Sequence, residues 1–156
     1  MTWHLLHTLA LFWMMVGIGA VVVPVWKAWA TKDLDARALL LQEAQRSEVQ
    51  WLIPGMLATL FTGVAWVSSD ESTYNFVRTG WLAALEIVFA IDGFIFLPLM
   101  GVGLRRVRLL ALQAKHQGRM TEELDEALRD NVPVVFGTLL TLSIPVMVWL
   151  AIYQPI

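Results

Sequence analysis

The chain has 156 residues, 58% of them hydrophobic and 15% charged, with a net charge of −2 and no cysteine. A soluble domain carries roughly 45–50% apolar and about 25% charged residues, so this composition points to one compact membrane domain with no room for a second folded unit. The near-neutral charge offers nothing to nucleic acid, and the missing cysteines exclude disulfides, thiolate metal sites, iron–sulfur clusters and haem attached through a CxxC motif; they leave haem held by histidine open.

The first apolar run extends from about Leu5 to Val25 with no basic segment before it. A signal-peptide core is ~7–15 residues, so a retained first span is predicted. Apolar runs predict four spans, at about 3–26, 49–67, 81–103 and 132–153. Each is close to the ~20 residues that carry a helix across ~30 Å of hydrocarbon. Helices are required because no water satisfies backbone groups in lipid.

Ten of the eleven Lys and Arg residues fall in two connectors: Lys27, Lys32, Arg37 and Arg46 in the first, and Arg105, Arg106, Arg108, Lys115, Arg119 and Arg129 in the second. Basic connectors stay on the cytoplasmic side, which predicts both termini outside and, for the membrane, a bacterial cytoplasmic (inner) membrane. Trp3, Trp66, Trp81, Trp149 and Tyr153 then fall near the outer interface and Trp26, Trp29 and Trp51 near the inner one, with Trp13 left mid-span.

In the first connector Asp33 suits a helix cap, and Leu34, Ala38 and Leu41 share one face of a helix that either lies on the inner surface or continues into span two. The loop over 68–80 reads as short, polar and external. The second basic connector opens with Arg105, Arg106 and Arg108, placed to reach lipid phosphates. Gly118 breaks it. A short helix restarts near Thr121 with Glu122, Glu123 and Asp125 in its first turn, where the helix dipole favours anions. Pro133 suits the first turn of span four. The fold expected is an all-α membrane four-helix bundle with short amphipathic cytoplasmic helices.

Helices in lipid associate through close packing, so small residues mark contact lines. Span two offers Gly55, Thr59 and Gly63, and span four Gly137 and Thr141. Pro145 predicts a bend in span four. Pro54 and Pro98 read as packing irregularities, with a broken-helix transport site as the rival.

Ionisable groups inside spans are costly and need a reason. His7 lies ~6 Å below the outer interface by helical rise, with His4 one turn above on the same face. Glu86 lies at nearly the depth of His7, and Asp92 near the midplane. Two readings of His7 stay open: an axial ligand to haem b, with His4 beside it, or a neutral imidazole bonded to Glu86 or a backbone carbonyl. Glu86 and Asp92 are separated by ~9 Å along the helix and ~120° around it, so they are no acid pair. Asp92 reads as a neutral acid hydrogen-bonded to Ser143 or Trp13, with a proton relay as the rival. The span hydroxyls are expected to bond their own helices. No metal site is predicted, no catalytic residue can be named, and no P-loop, GxSxG or HExxH motif is present.

Span one reads LLHTLALFWMMVGIGAVVVPVWKAWA, span two WLIPGMLATLFTGVAW with its Pro54-Gly55 and Thr62-Gly63 pairs, and span three closes as FLPLMGVGLRRVRLLA. In these features the chain resembles the bacterial family of predicted four-span integral membrane proteins of unassigned function, over nearly its whole length. The early Leu-His is more distantly similar to copper-resistance-D-like proteins and HemJ-type protoporphyrinogen oxidases, a likeness that implies haem at His7 and carries over no other residue. The function expected is an accessory or assembly subunit of a larger respiratory or photosynthetic membrane complex, in contact with lipid and with other subunits or its own copies. The alternatives are a haem-dependent membrane oxidoreductase and a small proton-coupled transporter.

Overall fold

The computed structural model describes residues 2–69, 75–76 and 78–154. Positions 70–74 and 77 of the predicted external loop therefore lie outside the described residues. The elements are α1 (Thr2–Ala30), α2 (Leu34–Ser47), a π turn (Glu48–Leu52), α3 (Ile53–Val67), α4 (Gly80–Ile91), a second π turn (Asp92–Phe96), α5 (Leu97–Gln117), α6 (Glu122–Arg129) and α7 (Val132–Tyr153). Four helical rods are long and apolar enough to cross a membrane, and the described residues contain no strand. The protein is an all-α four-helix bundle of the integral membrane class.

The helix of the first connector runs straight into span two. Asp33 caps it, accepting from the Asp35 backbone N–H at 3.0 Å, and α2 packs along α5 instead of standing apart. The other boundary signals lie where the sequence places them. Gly118 ends α5 at φ 66°, a left-handed conformation that suits glycine. Thr121 caps α6 by accepting from the Leu124 N–H at 3.3 Å. Pro133 sits in the first turn of α7.

The two π turns have a common cause. In a regular helix the rings of Pro54 and Pro98 would strike the carbonyl one turn back, and each proline lacks the N–H that should bond it. Widening the preceding turn by one residue relieves the clash. The N–H of Ile53 then reaches the carbonyl of Glu48, and that of Leu97 reaches Asp92. Both wide turns open on a buried acid six residues before the proline.

The small residues of α3 face α1. A Cβ at Gly55 would stand 2.9 Å from the Met14 backbone, and one at Gly63 would stand 3.0 Å from the His7 ring. Gly17 answers from α1, where a Cβ would lie 2.7 Å from Leu52 Cα in the first π turn. These positions let two backbones approach more closely than any larger residue permits. Gly137 on α7 receives Val22 of α1 and Met100 of α5.

The buried core continues below this seam through Val21, Val25, Leu41, Leu104, Val107 and Leu124, so α2 and α6 extend the bundle past the apolar spans. Arg37 is buried there. Its guanidinium donates to the Ala28 carbonyl at 3.0 Å and to that of Thr31, closing the negative end of α1. The Trp29 indole donates to Leu128 O and Asn131 Oδ1, joining α1 to the α6–α7 corner. Lys115 pairs with Asp35, and Arg106 with Asp130. Both cationic connectors thus lie at the same end of the bundle.

Gly17→Val should destabilise the bundle by about 1–3 kcal/mol, because the new methyls meet backbone that cannot move aside. Gly19→Ala, with no atom within 4 Å of the added Cβ, should be neutral. Unfolding by denaturant titration in detergent micelles separates the two.

Candidate functional site

The intramembrane polar groups fall into separate places. On the half of the α1–α3 seam nearer the N-terminus, His7 Nδ1 lies 3.1 Å from Thr62 Oγ1. The Thr62 hydroxyl has one proton, and the Ala58 carbonyl lies 2.7 Å away to take it. With the proton there, the oxygen accepts from His7, which puts the imidazole proton on Nδ1. Gly63 lies against the ring edge, and Trp66 is tilted against the ring face at 5.8 Å between centroids. His4, one turn up, stacks on the same Trp66 at 4.7 Å. Thr62-Gly63, noted in sequence only as part of the family resemblance, is the seat of this histidine.

His7 and Glu86 do not meet. Helix α4, which carries Glu86, packs on α7, whereas α1 packs on α3. Equal depth was insufficient because the two residues stand on helices that do not share a face. One carboxyl oxygen of Glu86, Oε1, is buried with no hydrogen-bond partner.

Asp92 is 3% exposed and opens the second π turn. The Ser143 hydroxyl of α7 lies 2.5 Å from its Oδ2 and 2.8 Å from the Leu140 carbonyl. Ser143 is thus the partner, and no bond from Trp13 reaches Asp92. Asp92 Oδ1 is buried without a partner. One hydroxyl proton cannot serve two acceptors fully, which leaves two consistent arrangements. With Asp92 ionised, Ser143 donates to the carboxylate. With Asp92 protonated, the acid donates to Ser143 Oγ and the hydroxyl turns to Leu140 O. The side chain keeps its partner in both.

The remaining span hydroxyls bond their own helices: Thr59 to Gly55 O, Thr138 to Val134 O and Thr141 to Gly137 O. The arginine triplet divides. Arg106 pairs with Asp130 at 3.2 Å and Arg108 donates to Gln45, while Arg105 is exposed and makes neither an ion pair nor a hydrogen bond among the described residues.

A third acid, buried like Asp92, escaped the reading from sequence. Glu48 lies one residue before predicted span two and is 2% exposed. Its carboxyl rests on Gly101 of α5, where any Cβ would collide with Oε1, and Oε2 is buried with no partner. A signal for it exists: an acid six residues ahead of a proline, in both Glu48–Pro54 and Asp92–Pro98.

The fit to haem can be judged from this geometry. The Nδ1–H tautomer leaves a lone pair on His7 Nε2, as a ligand needs. The nitrogen-bearing edge of the ring, however, is seated on α3, and Trp66 covers its flank. These contacts suit a half-buried imidazole packed between two helices and do not fit haem as the helices stand.

No family model, curated protein or solved structure matches the chain.

Thr62→Val removes the acceptor of His7 and should cost about 0.6 kcal/mol, with ~1.7 as an upper bound for such bonds in a membrane protein. The purified protein should be colourless. A Soret band lost in His7→Ala would reverse the conclusion on haem.

Proposed function

We propose that this is a small multi-pass protein of the bacterial cytoplasmic membrane, with both termini outside, that works by proton exchange at Asp92 as a proton-coupled transporter. The observation that carries this reading is the two-way bonding of Ser143. It lets a carboxyl buried near mid-bilayer gain or lose a proton without losing its hydrogen-bond partner. Leaving a buried polar group unpaired costs about 1–3 kcal/mol, more for a charge, so an acid serving structure alone gains nothing from an unpaired second oxygen. An intramembrane carboxyl is a functional group by default. Glu86 lies six residues nearer the external loop on the same rod and is the next group toward the outer face.

The orientation rests on the two cationic connectors lying at one end of the bundle, the end that the positive-inside bias assigns to the cytoplasm. Membership of the four-span predicted integral membrane family is part of the proposal. Its support is that Pro54-Gly55 and Thr62-Gly63 build the α1–α3 seam and the seat of His7.

One observation favours the accessory-subunit reading as a second. Leu82 is the sole buried residue of α4, a helix that packs on α7 and leaves its other side free for a neighbouring subunit or a second copy.

In lipid vesicles, Asp92→Asn should lower potential-driven proton flux by about tenfold or more, the effect of ~1.4 kcal/mol on a barrier. It should also remove a carboxylic-acid band from the infrared spectrum, and Ser143→Ala should shift that band. Flux and spectrum unchanged in Asp92→Asn would refute the proton reading and leave the accessory one. The chain has no native cysteine, so single cysteines placed at Lys115 and at Tyr153 test orientation directly. The first should react with impermeant reagent only from the cytoplasmic side and the second only from outside.

A further inference from the structure

Glu48 takes no part in the site at Asp92, and its surroundings have the form of a ligand site. The carboxyl is 2% exposed, lies over Gly101 and leaves Oε2 without a donor. Beside it a cavity of about 230 Å³ opens between the first π turn and α5. Ile53, Leu97 and Val102 form apolar walls, and Arg105 stands at the rim. Arg105 follows Gly101 by one helical turn, so it shares the face that receives Glu48. Its charge acts on Glu48, yet the two form no ion pair.

Three properties define what belongs there. The first is size. Drug-sized ligands occupy roughly 300–1,000 Å³, so this cavity suits a small group. The second is the route of entry. Val49, Trp51 and Val102, about half exposed or more, surround this level of the bundle with lipid-facing side chains. Trp51 is the kind of ring that marks a membrane interface. A ligand therefore comes from the bilayer, with chains to lay along that surface. The third is charge. A carboxyl lacking a donor stands beside a guanidinium lacking an acceptor. Arg106 and Arg108 are already engaged with Asp130 and Gln45, so Arg105 is the one of the triplet left to bind.

We propose that the Glu48–Arg105 cavity seats the headgroup of an amino-phospholipid of the phosphatidylethanolamine type, with its ammonium on the Glu48 carboxyl and its phosphate on the Arg105 guanidinium. The ammonium supplies the missing N–H donors. The phosphate takes the guanidinium in the charge-assisted geometry that arginine favours. A choline headgroup has no N–H to donate, and a glycerol headgroup has no cation, so neither completes the site. This proposal stands apart from proton exchange at Asp92, and its readout does not depend on transport.

Native mass spectrometry tests it. Purified protein is equilibrated in detergent with equal amounts of phosphatidylethanolamine, phosphatidylcholine and phosphatidylglycerol carrying the same acyl chains. The ethanolamine lipid should be retained severalfold over the other two. Glu48→Gln and Arg105→Gln should each abolish that preference. Arg105 is exposed, so its variant carries the test even where the Glu48 variant fails to fold. Equal retention of all three lipids would overturn the proposal, because it is the result of Arg105 swinging onto Glu48 and closing the cavity. So would a preference that survives Arg105→Gln. Displacement of the lipid by millimolar soluble phosphoethanolamine would reassign the site to the free headgroup and overturn the lipid occupant.

Discussion

Two helices in lipid gain little from hiding apolar surface from each other, so they hold together only where their backbones come close. Here that happens along α1 and the second rod, where Gly17 admits Leu52 and Gly55 admits Met14. Much else depends on this approach. It fixes the first π turn against α1 and so sets the direction in which Glu48 leaves the helix. About two turns further along the seam it brings Gly63 under the His7 ring and Thr62 within bonding distance of Nδ1. A seam of small residues thus positions both a histidine and an acid without touching the acid itself.

The prolines act on the other side of the same balance. Each removes a donor that lipid cannot replace, and each is accommodated by a wider turn upstream. In both cases the residue opening that turn is acidic and buried. The two acids nevertheless differ in company. Asp92 faces a hydroxyl that can either give or take a hydrogen bond. Glu48 faces a glycine and a cavity, with no hydroxyl or amide in reach of Oε2. The first arrangement suits a proton, whereas the second suits a ligand that brings its own donors.

At the end of the bundle where the charges collect, the arginines serve unlike purposes. Arg37 is buried and closes the end of α1, where unpaired carbonyls and the helix dipole both favour a cation. Arg106 ties α5 to the α6–α7 corner, and Arg108 ties it to α2. Of the triplet, only Arg105 has neither an ion pair nor a hydrogen bond among the described residues. A count of positive charge therefore overstates how much of it is available to lipid phosphates.

The order of residues alone determined the four rods, the small-residue line Gly55–Thr59–Gly63, the caps at Asp33, Gly118 and Thr121, and the choice of partners for Asp92 down to Ser143 or Trp13. Each of these follows from hydrophobic run length, helical spacing or depth, which are properties of one helix read along its own axis. The error over His7 and Glu86 has the complementary cause. Depth says how far a residue lies along the membrane normal and nothing about which helix it turns toward. Glu48 was hidden for the same reason. Beside Gln50 and Arg46 it looks like loop, and it is buried only because Gly101, 53 residues later, leaves room for its carboxyl. Which rods become neighbours, and so which polar groups meet a partner and which meet a cavity, was decided by packing between helices, because contact between side chains depends on the angle each helix presents to the next.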